Sequence, residues 1–278
     1  MRPDADRLRP VLWFFALTFA LTAPFWAISA ASGLQLLPGL PIAAFAVVCP
    51  AAAALAITWR SRGLAAGRAL LARVFDAGRL RSRLWWLPIL FISPAIAAVM
   101  FVALRLSGSG VPDPHIAPLG AVALFAVFLP GALCEELGWS GFALGPVQAR
   151  WGATAAGLLI GAVWAVWHYL ALLEAHRSAS WIAWWSLGTV AQRVIMVWLF
   201  NNTGASVFGV ALFHAMSNLC WQLFPVQGSW FDPRLNGVIT AAVALAVVLG
   251  TRAFARSGDR DINAPARANT RASKAGSS

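Results

Sequence analysis

Apolar residues occur along the chain in eight long runs, which Gly, Pro or charged residues separate. Each run is close to the roughly 20 residues that an α-helix needs to cross a bilayer. The pattern therefore predicts an all-α, polytopic membrane bundle of about eight transmembrane helices. The predicted spans are 11–31, 40–59, 85–105, 119–144, 154–175, 181–200, 205–224 and 236–254.

Composition excludes most soluble classes of protein. Of the 278 residues, 60% are hydrophobic and only 11% are charged. In soluble domains, roughly a quarter of all residues are charged. The three cysteines all lie in apolar runs, which favours packing over disulfide chemistry. The 15 tryptophans, Trp184 and Trp185 among them, are typical of membrane-interface belts. We predict a cytoplasmic N-terminus (1–10), a membrane bundle (11–256) and a disordered basic tail (257–278).

The distribution of basic residues predicts the orientation. If the N-terminus is cytoplasmic, 17 of the 21 Lys and Arg residues fall on the cytoplasmic side, which is the side that holds such an excess. We therefore expect a multi-pass plasma-membrane protein with both termini in the cytoplasm, with the lipid bilayer as a partner and no nucleic acid. Seven arginines lie between Arg60 and Arg83, and this stretch is either an amphipathic helix on the inner leaflet or a solvated loop.

A few polar residues lie inside the predicted spans, where ionisable groups are costly and usually mark a functional site. They come from the fourth to the seventh span, so the bundle could bring them into one cluster. They are Glu135, Glu136, His168, Arg193, His214 and Asn218.

The spacing of these residues indicates different tasks. Adjacent helical residues point about 100° apart, so Glu135 and Glu136 cannot occupy the same environment. A carboxylate in a cavity can act as a general base on water. His214 and Asn218 are four residues apart and share a helix face, where an imidazole and an amide could stabilise an oxyanion. The alternative for the glutamates is a structural buried pair that Arg193 neutralises.

The order of these motifs resembles that of the CPBP family of intramembrane proteases, which includes type II CAAX prenyl endopeptidases and bacterial Abi proteins. The resemblance covers residues 119–224, the predicted protease-like core. It lies in the Glu135-Glu136 pair, in Trp164 followed four residues later by His168, and in His214 with Asn218.

The resemblance implies an endopeptidase in a bacterial plasma membrane that cuts a peptide or membrane-protein substrate. Glu135 would activate water with the help of His168, His214 and Asn218 would stabilise the oxyanion, and Glu136 would brace the motif helix. The family is often described as metalloproteases. Glu135, His168 and His214 could supply the three protein ligands of an open zinc site, although no sequence feature requires the metal.

One position departs from the family pattern. The family motif has Arg four residues after its second Glu, whereas this chain has Ser140. We predict that Arg193 supplies the missing cation from another helix. Two alternatives stay open: a catalytically impaired scaffold or immunity protein of the same fold, and a proton-coupled carrier, since buried Glu and His can form a proton relay.

Overall fold

The computed structural model describes residues 3–37 and 40–262, and within these ranges the chain forms eight α-helices. Their bounds are α1 (Pro3–Ser32), α2 (Cys49–Leu71), α3 (Trp86–Leu106), α4 (Pro118–Gly138), α5 (Leu144–Glu174), α6 (Ala179–Asn202), α7 (Val207–Leu223) and α8 (Pro233–Ile262). A small antiparallel hairpin, β1 (Gln35–Leu37) with β2 (Leu40–Pro41), follows α1. Short 3₁₀ segments cover Ile42–Val48, Ala72–Arg79 and Arg83–Trp85.

The predicted all-α membrane bundle is confirmed. Six continuous helical segments of the described chain are long and apolar enough to cross a membrane, and α7 is a shorter apolar helix. Many large apolar side chains lie exposed on the outside, Leu119 at 83% and Leu245 at 58% among them, as expected where lipid replaces water. The protein is an integral membrane protein.

The longest of these segments, Pro118–Glu174, contains two of the predicted spans. At 1.5 Å per residue its 57 residues would measure about 85 Å, far more than a bilayer core of about 30 Å. The segment folds back on itself, because Trp164 of α5 hydrogen-bonds to Glu135 of α4 although 29 residues separate them. A π-helical turn at Trp139–Ala143 and the positive φ of Gly152 (81°) interrupt the helix between them.

Small residues allow the helices that carry the polar side chains to pack closely. Gly157 and Gly161 of α5 face α6 so tightly that a Cβ at either position would lie 3.0 Å from a Cα of α6. This is the spacing of the Gly-x-x-x-Gly packing motif. Where α4 meets α7, Ala132, Ala211 and Ala215 form a buried cluster. The close approach brings Glu136, Arg193 and His214 within contact distance.

The structure selects one of the two alternatives that the sequence leaves open for the arginine-rich stretch. The stretch between Arg60 and Arg83 is largely helical and 3₁₀-helical, so it is not the loop of one alternative. Helix α8 is described as far as Ile262, and the disorder of the tail 257–278 stays a prediction. The rest of that tail, 263–278, lies outside the described residues.

Candidate active site

The two adjacent glutamates lie in the last turn of α4 and face different surroundings. Glu135 is 3% exposed and lines a cavity, whereas Glu136 is fully buried between helices. The 100° step between neighbouring helical residues accounts for this separation. The two carboxylates therefore have different neighbours, as their adjacency predicts.

Glu136 lies at the centre of a buried polar layer, which we define as Glu136, Ser140, Arg193 and the Nδ1 side of His214. The Arg193 guanidinium donates two hydrogen bonds, from Nη1 to Oε2 at 2.6 Å and from Nη2 to Oε1 at 3.0 Å. The Ser140 hydroxyl donates to Oε2 at 2.5 Å, and His214 Nδ1 lies 3.1 Å from Oε1. The cation that the sequence lacks at position 140 thus comes from α6.

Trp164 of α5 contacts both glutamate environments. Its indole Nε1 donates a hydrogen bond to Glu135 Oε2 at 2.7 Å. The guanidinium carbon of Arg193 lies 4.3 Å from its ring centroid, and the His214 ring meets it edge-on at 5.1 Å. An indole thus offers its N–H to one carboxylate and its π face to the cation that neutralises the other.

His168 is fixed by its own helix. Its Nδ1 lies 2.8 Å from the backbone carbonyl oxygen of Trp164. A carbonyl only accepts hydrogen bonds, so Nδ1 carries the proton and Nε2 of the neutral ring is an acceptor. The rings of Trp164, Trp167 and Trp185 surround the imidazole at centroid distances of 4.8 to 5.4 Å.

Polar side chains from three helices line one cavity of about 430 Å³. Glu135 from α4, His168 from α5, and His214 with Asn218 from α7 all line it. The buried polar layer lies behind this wall, where Glu136, Ser140 and Arg193 are almost inaccessible. A carboxylate, two imidazoles and an amide around one cavity can bind a water molecule, polarise a carbonyl and move a proton.

Comparison with known proteins matches the same part of the chain. Residues 117–220 match the family model described as Type II CAAX prenyl endopeptidase Rce1-like. Residues 117–220 are thus similar in sequence to the CPBP/CAAX protease family. A curated relative, CAAX prenyl protease 2 of Methanococcus maripaludis, is 26% identical over 113 residues, which are 38% of this chain and 42% of the relative. The match thus spans less than half of that relative's length.

The family segment contains every residue that the sequence singled out: Glu135, Glu136, Ser140, Trp164, His168, Arg193, His214 and Asn218. The resemblance to this family is therefore confirmed. The part of the chain before the segment also reaches the site, because Val47 and Met100 line the same cavity.

Zinc binding by Glu135, His168 and His214 stays a prediction. Across the described residues, no group of three or more His, Cys, Asp and Glu side chains could hold a metal ion, so Glu135, His168 and His214 are not such a group. Both histidines direct Nδ1 to other partners, the Trp164 carbonyl and Glu136, which leaves Nε2 as the ring nitrogen that could bind a metal.

Several residues that line the cavity are absent from the sequence prediction. Trp185, assigned to an interface belt, has its ring 5.3 Å from His168. Gln192 of α6 lines the cavity and accepts a hydrogen bond from Ser217 Oγ at 3.1 Å. Gln222 also lines it, and helical spacing could have found this residue, because it lies four residues after Asn218.

A clamp at the start of α7 fixes its position relative to α4. Asp76 accepts hydrogen bonds from the backbone nitrogens of Val207 (3.2 Å) and Phe208 (3.0 Å), which caps α7. Arg73 donates to the carbonyl oxygen of Gly141, in the π-helical turn after α4, at 3.1 Å. The stretch that sequence analysis left as a leaflet helix or a loop thus braces the two helices that carry Glu135 and His214.

Proposed function

We propose that this protein is an intramembrane endopeptidase that hydrolyses a peptide bond with a water molecule activated by Glu135. The observation that carries the proposal is the convergence of Glu135, His168, His214 and Asn218 on one cavity. The substrate would be a peptide or membrane protein that enters this cavity. The family assignment supports hydrolysis of peptide bonds, and the geometry suggests how this chain would carry it out.

Glu135 is the group best placed to act as the general base. Its carboxylate lines the cavity and receives the hydrogen bond from Trp164 at Oε2, which leaves Oε1 for a water molecule. The neutral His168 ring can accept a second hydrogen bond from the same water through Nε2. The water oxygen would attack the carbonyl carbon as its proton passes to Glu135. The C–N bond then breaks, and the proton passes to the leaving amine.

His214 and Asn218 would stabilise the negative charge on the carbonyl oxygen. The Asn218 amide is a neutral donor. The His214 Nδ1–H faces Glu136, so its Nε2 can donate only when the ring is an imidazolium. The contact of Nδ1 with Glu136 fixes the orientation of the ring. The buried polar layer would therefore act through His214 on the oxyanion.

The contact between Glu136 and Arg193 supports hydrolysis over the alternative of an impaired scaffold or immunity protein. That alternative rests on the missing motif arginine at Ser140. Arg193 makes two hydrogen bonds to Glu136, and Ser140 makes a third. The second glutamate therefore retains a cation, and the motif helix retains its brace.

We further propose that the protein lies in a bacterial plasma membrane with both termini in the cytoplasm. The support is the excess of arginine in the segments that this orientation places inside, namely 1–10, 60–83 and 252–274. Fusing a reporter active only outside the cytoplasm to either end should then give no signal, and a signal from either fusion would contradict the orientation.

The proposed hydrolysis is tested by comparing membrane peptides from cells that express the wild type, Glu135→Gln or Glu174→Gln. Removal of a general base should lower cleavage by about 10²- to 10⁴-fold, while the Glu135→Gln protein still accumulates. Glu174→Gln is the matched control, because Glu174 lies outside the cavity and only accepts a hydrogen bond from Ser29. Identical peptide profiles for the wild type and Glu135→Gln would contradict the proposal.

A further inference from the structure

Helix α7 presents three polar side chains to the cavity at intervals of one turn. His214, Asn218 and Gln222 are each four residues apart, and all three line the cavity. Four residues of α-helix rise about 6.0 Å and turn by about 400°. The three side chains therefore form a row along one face of α7, which we call the α7 polar row.

The spacing of this row is close to the repeat of an extended peptide. A β-strand rises about 3.3 Å per residue, so carbonyl groups on the same edge recur about every 6.6 Å. When one carbonyl lies at His214 and Asn218, an edge peptide group two residues away lies near Gln222. An amide side chain both donates and accepts, so it can bind the N–H and the C=O of a peptide group.

Two members of the row, Asn218 and Gln222, have no hydrogen-bond partner within the described part of the protein. Asn218 and Gln222 are half-buried, yet neither side chain makes a hydrogen bond to another described residue. The amides of Gln148 and Asn201, in contrast, bond to each other twice at 3.1 Å on the surface. Neither amide is among the fully buried unpartnered atoms of the described residues, so both are open to the cavity and can bind a ligand there.

The charge and polarity of the cavity restrict that ligand. Among the described residues that line it, Glu135 is the one acidic group, and none is Lys or Arg. An acidic side chain of a substrate would lose its hydration there without gaining a Lys or Arg partner. Apolar side chains also line the cavity, among them Val47, Met100 and Phe128, and they suit apolar substrate side chains.

We propose that Gln222 binds the main chain of an extended, uncharged and apolar substrate segment, two residues from the bond that is cut. The inference rests on the proposed peptidase function and adds a substrate-binding residue and a substrate class to it. The polar row would hold the peptide by its backbone, and the apolar lining would select its side chains. Because main-chain groups are the same in every peptide, different apolar sequences could bind with the same alignment of the scissile bond to Glu135.

The experiment uses the purified full-length chain in detergent with internally quenched decapeptides of Ala, Leu and Phe, amidated at the C-terminus. Peptides whose cleavage requires Glu135 are then remade with a single ester in place of each peptide bond in turn. An ester removes one N–H donor and weakens one acceptor. Two esters lie two residues from the scissile bond, one on each side. In the wild type, one of them should raise KM about five-fold, as expected for the loss of one hydrogen bond.

Gln222→Met tests the assignment to this residue, because it keeps the side-chain length and removes the amide. We expect KM for the all-amide peptide to rise about five-fold with kcat within about two-fold of the wild type. The penalty for the ester two residues from the cut should vanish in this variant. The matched control is Gln148→Met on the surface of α5, which should leave both KM and the ester scan unchanged.

The outcomes separate the two proposals. If no peptide is cut in a Glu135-dependent manner, the peptidase function itself is contradicted. If cleavage requires Glu135 but the wild type tolerates every ester two residues from the cut, or Gln222→Met keeps that ester penalty, Gln222 does not bind the main chain. A peptide with an aspartate in place of one of its central residues should be cut at least ten-fold more slowly, and equal rates would contradict the uncharged class.

Discussion

Glu135 and Glu136 are neighbours in sequence and belong to two regions of different chemistry. Glu135 faces the cavity with one protein donor, the Trp164 indole. Glu136 faces away from the cavity and contacts Arg193, Ser140 and His214. Glu135 can therefore still accept hydrogen bonds from water. Both oxygens of Glu136 already accept hydrogen bonds from other side chains of the protein.

Two residues of the same type thus differ in role, one reactive and one structural, because their surroundings differ. A buried ion pair that loses one partner leaves an uncompensated charge, which is strongly destabilising. A carboxylate that lines a cavity can lose its charge at little cost to folding. Substitutions in the buried polar layer should therefore change stability first, and substitutions on the cavity side should change cleavage first.

The largest expected effect comes from Arg193→Ala, which removes the cation of the buried polar layer. We expect a loss of about 3–5 kcal/mol in the free energy of unfolding, because Glu136 stays buried without its counter-ion. Unfolding by SDS in mixed micelles measures this loss. The matched control is Arg150→Ala, whose side chain lies on the surface against Trp151 and should change stability by less than about 1 kcal/mol.

Adding Ser140→Arg to Arg193→Ala should recover most of that stability and the cleavage activity. Position 140 is near enough to Glu136 for its hydroxyl to bond at 2.5 Å, so an arginine there can provide the missing cation. An unrecovered double variant would show that Arg193 acts on more than the charge of Glu136.

A smaller effect is expected on the cavity side from Trp164→Phe. The substitution removes the hydrogen bond to Glu135 and keeps an aromatic ring beside Arg193. Because hydrogen bonds to charged groups contribute about 2 kcal/mol, cleavage should slow roughly thirty-fold while the thermal midpoint changes little. Trp167→Phe is the control, because its indole donates to Thr22 on α1. Equal losses of activity in both variants would contradict a specific role for Trp164.

The smallest effect is expected from Ser140→Ala. Glu136 loses one of its donors and keeps both hydrogen bonds from Arg193, so the loss of stability should be about 1 kcal/mol. Ser61→Ala, which removes an exposed hydroxyl bonded to its own helix, provides the reference in the same SDS titration. A loss as large as that of Arg193→Ala would mean that Ser140, and not the ion pair, holds the layer together.

The number of helices could be predicted from the sequence because apolar length directly reflects membrane thickness. The ends of the helices could not. The second predicted span, 40–59, begins inside a hairpin and a 3₁₀ segment, and α2 itself runs from Cys49 to Leu71. Pro50 in the first turn of α2 is the local signal for that start. Hydropathy reports which residues suit lipid and does not report backbone geometry.

The polar residues of the site could be predicted because each is costly inside a membrane. Their detailed pairing needed the fold. The contact between Arg193 and Glu136 follows from elimination, since few other charges lie within the spans. The indole hydrogen bond from Trp164 to Glu135 does not, because tryptophan is also an ordinary packing residue. Gln222 and Gln192 are harder to predict from sequence, because a neutral amide costs less free energy inside a membrane than a charge.

Glu136 and Arg193 are 57 residues apart in the chain, so a ribosome adds the anion well before its cation. At about 5–20 residues per second, the interval is roughly 3–11 s. An acidic residue in a membrane helix costs up to roughly 2.5–3.5 kcal/mol to insert, the value that applies at the helix centre. We therefore expect α4 to remain weakly anchored at the translocon until α6 emerges, so that nascent chains truncated before Arg193 should be extracted from the membrane more easily than longer ones.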